Sequence, residues 1–259
     1  MYKLFTILTC LCTLTLSAEI IETHSFKEVP SYLTEDTLLV LDIDDTLLIP
    51  VQMLGCDEWF NHRFTTYMKS GLSPSVALDR SLAEWEAIRH LTEMEVVEQE
   101  TVQIIQEMQA SGVHMIGLTT QGVALSHRTI EQLKANNIIL SDTAPLKGFH
   151  YFEQKDLGVV YRKGVLFTSG TAKGQALFTL CDHFGYAPKR VVFINDKTTH
   201  LKDIEEEAEK RGVEFIGLRY AYSDDRKARF DAEVAHIQFT NSGLHNLLSD
   251  EEAQMVSAQ

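Results

Sequence analysis

The chain is 259 residues long, with 44% hydrophobic residues and a formal net charge of −14 at pH 7. This length suits one sizeable domain with an insertion, or two small domains. The strongly acidic balance excludes general nucleic-acid binding, which needs a basic face. A small anionic substrate stays compatible with it, provided that a metal ion and a lysine neutralise the pocket.

Residues 1–18 have the pattern of a signal peptide. Lys3 precedes an apolar run of about 13 residues, and the small residues Ser17 and Ala18 follow it, as in export signals. The run is too short for a comfortable membrane span. The sequence therefore predicts a cleaved signal, a periplasmic or secreted protein and no stable membrane span after cleavage. A buried first strand and an uncleaved anchor are the alternatives.

Removal of this segment would take Cys10 and Cys12 with it and leave Cys56 and Cys181. In an oxidising compartment these two could pair, but two cysteines give only a weak signal. Two separate buried thiols are an equally good interpretation.

A buried strand that ends in three carboxylates is the central feature of the sequence. Residues 38–41 are an unbroken apolar run, typical of a strand covered on both faces of a parallel sheet. Asp42, Asp44 and Asp45 follow it. Ligands bind beyond the carboxyl ends of such strands, and side chains two apart point the same way. We expect Asp42 and Asp44 to face one site that attracts a cation or a proton. We expect Asp45 to point away from this site and to hold the loop or cap the segment that follows.

Residues 51–95 are predicted to form an interrupted helical insertion. Gly71 marks a turn, Asp57 is placed to cap one helix, and Ser73 followed by Pro74 is typical of the start of another. The apolar positions expected on one face of the second helix are Val76, Leu78, Leu82, Trp85 and Ile88. No strand is evident here. We expect a cap that covers the site and excludes water; an extra helical layer of the core is the alternative.

The rest of the chain alternates between strands and helices. Helices are predicted over 96–110, 125–136 and 171–184, around Leu201, Ile204 and Ala208, and over 242–248; strands are predicted over 113–118, 190–194, 213–218 and 234–239, with a hairpin of 149–153 and 158–168. This alternation predicts an α/β fold with a doubly wound, mostly parallel sheet. Its core comprises 19–50 and 96–249, and residues 250–259 are expected to be a frayed tail.

The polar residues at the strand ends suit phosphoryl transfer through an aspartate. Asp42 is the expected nucleophile, which attacks phosphorus and forms an acyl phosphate that water then cleaves. Asp44 is the expected acid, which protonates the leaving oxygen and later activates the water. Mg²⁺ prefers oxygen ligands and neutralises phosphate, and its expected ligands are Asp42, the carbonyl oxygen of Asp44, and Asp196.

Three further residues are expected to bind the phosphate of a small phosphorylated substrate. Thr119 and Thr120 follow the second apolar strand, and Lys173 lies at the start of a helix before the third. A hydroxyl, nearby backbone N–H groups and an ammonium are suitable partners for phosphoryl oxygens. Lys163 is the alternative lysine.

The segment Asp-Ile-Asp-Asp-Thr-Leu at 42–47 resembles the DxDx[TV] first motif of the haloacid dehalogenase (HAD) superfamily. Leu118-Thr119-Thr120 resembles its second motif, Lys173 fits its third, and 191–196 resembles its fourth. The insertion lies where type C1 helical caps lie. The resemblance covers residues 36–218 and implies a Rossmann-like HAD core, a helical cap and an exported Mg²⁺-dependent phosphatase that hydrolyses a small phosphomonoester.

Two narrower resemblances accompany it. The export-like start and the Asp-Ile-Asp-Asp-Thr segment are similar to secreted bacterial acid phosphatases of this superfamily. Residues 164–177 and 193–197 resemble a HAD-like bacterial family, DUF2608.

The fourth motif departs from the superfamily pattern at two positions. The fourth motif usually carries Asp-Asp or Gly-Asp and a further acid a few residues on, whereas this chain has Asn195-Asp196, with His200 at one expected acidic position. The departure motivates an alternative hypothesis, a catalytically silent HAD-like protein that binds a metal or a ligand. A phosphorylated receiver domain also uses acids, Thr and Lys, but the signal-like segment and the insertion count against it.

Overall fold

The structure is a computed structural model that describes residues 18–241 and 248–257. The signal peptide expected over 1–18 lies, apart from Ala18, outside the described residues, as does almost all of the helix expected over 242–248. Within the described ranges no helix is both long enough and apolar enough to cross a membrane.

One sheet organises the described part of the chain. Its strands are β1 (Ala18–Thr23), β2 (Thr37–Leu41), β5 (His114–Thr119), β6 (His150–Gln154), β7 (Leu157–Arg162), β8 (Val165–Phe167), β9 (Arg190–Asn195) and β10 (Glu214–Tyr220), with a separate pair of β3 (Leu48–Pro50) and β4 (Met94–Val96). The strand order is β1-β10-β9-β2-β5-β8-β7-β6; β7 runs antiparallel to β6 and β8, and the other pairs of neighbouring strands are parallel. The expected doubly wound, mostly parallel α/β sheet is confirmed.

Helices cover both faces of this sheet. They are α3 (Thr101–Ala110), α4 (Ser126–Ala135), α5 (Lys173–Phe184) and α6 (Thr198–Arg211). Leu39 and Leu41 of β2 lie in one core with residues of α3 and α4, and Leu38 and Val40 lie in another with residues of α5 and α6. Successive side chains of a strand point to opposite faces, which explains why the apolar run of β2 is unbroken.

The insertion contains α1 (Asp57–Lys69) and α2 (Pro74–Leu91). Ser73 caps α2 as expected, but the side chain that accepts from the first turn of α1 belongs to Cys56. The prediction that the insertion contains no strand was wrong, because β3 and β4 pair antiparallel at its base. Met94 and Val96 are used in this pairing, so α3 begins at Thr101 rather than at residue 96.

The predicted apolar face of α2 is correct only in part. Trp85 and Ile88 are buried against Leu54 and Trp59, whereas the other three positions, Val76, Leu78 and Leu82, are exposed. The buried face is completed by Ala77, Ser81 and Arg89. Cys56 and Cys181 are free buried thiols, in agreement with the interpretation as separate cysteines.

The expected strand over 158–168 is two strands. Lys163 and Gly164 have positive φ values of 49° and 80° and turn the chain between β7 and β8. After this turn β8 pairs parallel with β5 and brings the start of α5 to the central part of the sheet. The first strand, β1, which the sequence pattern did not indicate, pairs with β10 at the edge.

The C-terminal segment is helical where other structure was expected. After α7 (Asp224–Ala228) come α8 (Ala232–Asn241), in place of the strand expected over 234–239, and α9 (Asp250–Ser257), in place of the frayed tail. Val234 and Ile237 of α8 pack on Ala253 of α9. These two residues are three apart, and residues at this spacing lie on the same face of a helix. Ser249 caps α9 by accepting from the N–H of Glu252 at 3.1 Å.

Candidate active site

The predicted residues meet at the carboxyl edge of the sheet. In the sheet β2 lies between β5 and β9. The chain continues from β2 to β5 and β8 on one side of it and then crosses to β9 and β10 on the other side, so the direction in which strands are added reverses at β2. Such a reversal leaves a crevice beyond the strand ends where ligands bind. Asp42 follows β2, Thr119 ends β5 and Asp196 follows β9.

Asp42 is paired with Lys173. The Lys173 Nζ donates to Asp42 Oδ1 at 2.5 Å, with 1% of the lysine side chain and 7% of the aspartate side chain exposed. Asp42 continues the face of β2 that carries Leu38 and Val40, which α5 covers, and Lys173 is the first residue of α5. Burial raises the pKa of Asp42 to about 7 against the opposing charge of Lys173, and Asp196 adds to the rise.

Asp44 is held by donors on both oxygens. Arg89 Nη2 of α2 donates to Oδ1 at 2.6 Å, and Gln121 Nε2 donates to Oδ2 at 2.8 Å. Thr119 Oγ1 lies 3.4 Å from the same Oδ2 and accepts from the Gln121 N–H at 3.1 Å. Arg89 and Gln121 were not predicted as site residues; Gln121 stands two residues after Thr119, which was a usable signal, but α2 carries no local sign that Arg89 turns inward.

Thr120 contacts the neighbouring loop through its main chain. Its carbonyl oxygen accepts from the Gly170 N–H at 2.8 Å, just before α5 begins. Thr119 and Thr120 therefore lie between Asp44 and the segment that leads to Lys173. The alternative lysine, Lys163, lies at the turn between β7 and β8, where β8 begins, and so at the opposite end of β8 from the segment that leads to Lys173.

Asp196 is buried beside a lysine from the C-terminal segment. Lys227 Nζ of α7 lies 3.1 Å from Asp196 Oδ2. Asn195 stabilises the turn after β9, because its Oδ1 accepts from the Lys197 N–H at 2.7 Å. Burial lowers the pKa of His200 to about 3, with the charges of Lys173 and Lys197 adding to the effect, so His200 is neutral and does not replace the acid of the superfamily pattern.

The insertion adds a further acid to the site. Asp57, the first residue of α1, is paired with Lys197. Burial by itself raises the pKa of Asp57, but the charge and hydrogen bond of Lys197 outweigh it and hold the pKa below 3.8. Asp45 is buried with φ of 58°, and its N–H donates to the Leu48 carbonyl at 2.9 Å, which holds the loop as expected.

The negative charge at this edge is only partly neutralised. Burial raises the pKa of Asp45 well above 3.8, and the nearby charges of Asp57 and Asp196 raise it further. Among the described residues no three His, Cys, Asp or Glu side chains form a group that could hold a metal by themselves. The predicted Mg²⁺ ligands include only two side chains, Asp42 and Asp196, and one carbonyl. All of these ligand atoms are oxygens in an acidic environment, which is the ligand type that a hard divalent cation prefers.

The strand order and the meeting of the four motif segments at one sheet edge are those of a HAD-like α/β fold. The chain belongs to the family described as "Protein of unknown function (DUF2608)", whose model matches residues 22–254. The resemblance to DUF2608 found in the sequence is therefore confirmed.

Similar proteins come from several bacteria. A protein of Chlamydia pneumoniae named "Putative outer membrane protein" is 24% identical over 91% of this chain and 89% of its own length, and a protein of the same name from Chlamydia trachomatis is 24% identical over 93% and 91%. Among solved structures, a HAD family hydrolase from Deinococcus radiodurans with bound phosphate and sodium is 14% identical, with a TM-score of 0.41 over 86% of this chain and 95% of that chain.

Proposed function

We propose that the chain is a Mg²⁺-dependent, HAD-type phosphoric monoester hydrolase that acts on a small phosphomonoester. The observation that carries the proposal is the meeting of Asp42, Asp44, Thr119, Lys173 and Asp196 from four distant segments at one crevice. A buried carboxylate beside an ammonium, a second carboxylate two residues on and a threonine hydroxyl suit phosphoryl transfer in two steps.

In the first step Asp42 acts as the nucleophile. A carboxylate oxygen of Asp42 forms a bond to phosphorus, the bond from phosphorus to the leaving oxygen breaks, and the carboxyl group of Asp44 gives its proton to the leaving alcohol. Lys173 already touches Asp42 and offers its ammonium to the phosphoryl oxygens, while Thr119 and the nearby Thr120 orient the group.

In the second step water cleaves the aspartyl phosphate. Asp44, now ionised, takes a proton from the water, the water oxygen bonds to phosphorus and the bond to Asp42 breaks, which releases inorganic phosphate and restores both carboxyl groups. Gln121 and Thr119 hold Asp44 at the edge of the crevice during both steps.

Mg²⁺ would be held by Asp42, the carbonyl oxygen of Asp44, and Asp196. Its chemistry when bound is to supply two positive charges, which reduce the repulsion between a carboxylate nucleophile and a phosphate dianion. The partly neutralised acids of the crevice support this assignment.

We assign residues 51–95 as a cap over the core formed by 19–50 and 96–249. Asp57 at the start of α1 and Arg89 near the end of α2 both reach the crevice, so the insertion covers the reacting groups. A cover of this kind excludes water and strengthens the electrostatic interactions beneath it.

We also propose that the protein is exported. The pattern of residues 1–18 supports this assignment, and the names of the chlamydial relatives refer to the outer membrane. The sequence pattern favours a periplasmic or secreted product over an anchored one.

Hydrolysis of p-nitrophenyl phosphate by the purified chain tests the enzymatic proposal. We expect turnover between pH 5 and pH 8 with Mg²⁺, loss of turnover with EDTA and recovery with added Mg²⁺. Asp42→Asn should abolish turnover because the nucleophile is gone, whereas Asp36→Asn, at an exposed ion pair with Lys189, should not change it. Absence of turnover by the wild type with Mg²⁺ across a broad panel of phosphomonoesters would contradict the proposal.

The second candidate function is a catalytically silent protein that binds metal or ligand. The observations that favour it are Asn195, where the superfamily pattern has an acid or a glycine, and the hydrogen bonds of Arg89 and Gln121 to both oxygens of Asp44. Calorimetry that shows Mg²⁺-dependent binding of inorganic phosphate, together with no turnover on the same panel, would support this candidate over the enzyme.

A further inference from the structure

Lys227 reaches the crevice from outside the four motifs. It lies on α7, after the last strand of the sheet, and its Nζ is 3.1 Å from Asp196 Oδ2. Only 2% of the Asp196 side chain and 17% of the Lys227 side chain are exposed. The ion pair is therefore shielded from solvent. Buried charges interact more strongly than charges at an open surface. The phosphatase mechanism assigns no role to this lysine.

The surroundings of Asp196 are more positive than in the superfamily pattern. Asn195 stands where the pattern has an acid or a glycine, and neutral His200 stands at one expected acidic position. Lys227 then adds an ammonium beside the remaining carboxylate. A site with one expected acid fewer and one ammonium more attracts a divalent cation less strongly, and Lys227 supplies part of the charge that such a cation would supply.

Lys227 has a second carboxylate within reach. Asp224, three residues earlier on α7, has its Oδ1 3.1 Å from the same Nζ, so the ammonium lies between two carboxylates. The Asp224 side chain is more exposed than Asp196, and Arg219 Nη2 donates to it at 2.9 Å. A small rotation of the lysine side chain therefore releases Asp196 without leaving the ammonium unpaired.

We propose that Lys227 is an internal counter-cation of the crevice, which holds Asp196 in the metal-free protein and moves to Asp224 when a divalent cation binds. The inference rests on the proposed function in taking Asp196 as a metal ligand. If Lys227 and Mg²⁺ compete for the carboxylate of Asp196, the affinity for Mg²⁺ depends on how easily Mg²⁺ displaces the lysine.

Two substitutions on α7 test the proposed competition between Lys227 and Mg²⁺, because they should change the affinity for Mg²⁺ in opposite directions. Lys227→Met keeps the length of the side chain but removes the competing charge, and we expect it to tighten Mg²⁺ binding by about tenfold or more. Asp224→Asn removes the alternative partner and leaves Lys227 on Asp196, and we expect weaker Mg²⁺ binding. Lys189→Met, at an exposed ion pair with Asp36, is the control and should not change the affinity.

The affinity is measured by calorimetry with Mg²⁺ and by electron paramagnetic resonance with Mn²⁺, so the readout does not depend on turnover. Unchanged or weaker binding in Lys227→Met overturns the inference, as does a shift of the same sign in both α7 variants, which would indicate a structural effect. If Lys227→Met fails to fold, Lys227→Gln replaces it with the same expected tightening, and Asp224→Asn must still bind more weakly.

The two proposals fail separately. Opposite shifts in Mg²⁺ affinity without turnover on any phosphomonoester would support the competition and count against the enzyme. Turnover by the wild type with no change of affinity in Lys227→Met would support the enzyme and overturn the competition.

Discussion

Lys173 affects the carboxylate of Asp42 in two ways. In the proposed mechanism its ammonium binds the phosphoryl oxygens that approach Asp42, and in the structure it is the charge that compensates the burial of Asp42. Removing one partner of a buried ion pair leaves the other desolvated and without compensation, which costs more than the pair contributes when it is intact. Lys173, which is proposed to bind phosphate, therefore also stabilises the fold.

Lys173→Met should lower the free energy of unfolding by about 3–5 kcal/mol at neutral pH, because Asp42 would stay buried without its counter-charge. Urea denaturation followed by circular dichroism measures this change. Lys189→Met is the matched control: its partner Asp36 is exposed, and the expected loss is much smaller than that of Lys173→Met. Equal losses in the two variants would show that burial of the pair has no energetic effect.

The two helices of the insertion are joined by one charged cluster. Arg63 of α1 donates to Glu84 of α2 from Nε at 2.7 Å and from Nη2 at 2.8 Å, and Tyr67 donates to the same carboxylate. This bidentate geometry fixes the angle between the planar groups. Because Arg89 and Asp57 lie on these same helices, the packing of α1 on α2 also determines how the insertion meets the crevice.

The stabilisation from this cluster should depend on pH. Burial by itself raises the pKa of Glu84, but the hydrogen bonds of Arg63 and Tyr67 outweigh it and hold the pKa below 4.5. A lowered pKa stabilises the fold above the unfolded value, and this contribution is lost as the pH falls through the folded value. Glu84→Gln should therefore lower the thermal midpoint at pH 7, and this difference should shrink as the pH falls below 4.5 and through the folded pKa of Glu84. A midpoint difference that persists unchanged at low pH would contradict the prediction.

The C-terminal segment connects the insertion to the core. Arg226 of α7 donates to the carbonyl oxygens of Pro50 and Val51, and Gln238 of α8 accepts from the Leu54 N–H at 2.9 Å. Asp250 of α9 accepts from the Met53 N–H at 3.3 Å. The residues that lead into the insertion are thus held by helices from the far end of the chain.

Ala253→Asp should loosen this connection. Ala253 is fully buried against Val234 and Ile237, and an unpaired carboxylate there should lower the free energy of unfolding by at least about 2 kcal/mol. Hydrogen exchange should show faster opening at Met53 and Leu54, whose N–H groups bond to Asp250 and Gln238.

Met255→Asp, on the exposed side of the same helix, is the control and should change neither quantity. Unaltered exchange at Met53 in Ala253→Asp would show that α9 does not hold the insertion.

Local patterns were sufficient for the features that depend on neighbouring residues. The double burial of β2 follows from its unbroken apolar run, and the alternation of strands and helices predicts a parallel sheet whose strand ends share one edge. That edge brings Asp42, Thr119 and Asp196 together once the fold class is known. Lys173 follows from its position at a helix start. The fold and the motif residues of the candidate site could therefore be predicted.

The tertiary structure decided the features that depend on partners distant in the chain. The segment over 234–239 is helical because its apolar side chains pack on α9, and 94–96 is extended because β3 is available for pairing. In the same way Arg89 and Lys227 come from segments with no motif and reach Asp44 and Asp196 only after α2 and α7 have packed. A charged residue on an amphipathic helix has the same local pattern whether it faces solvent or a buried carboxylate, since only the packing of the helix selects the direction.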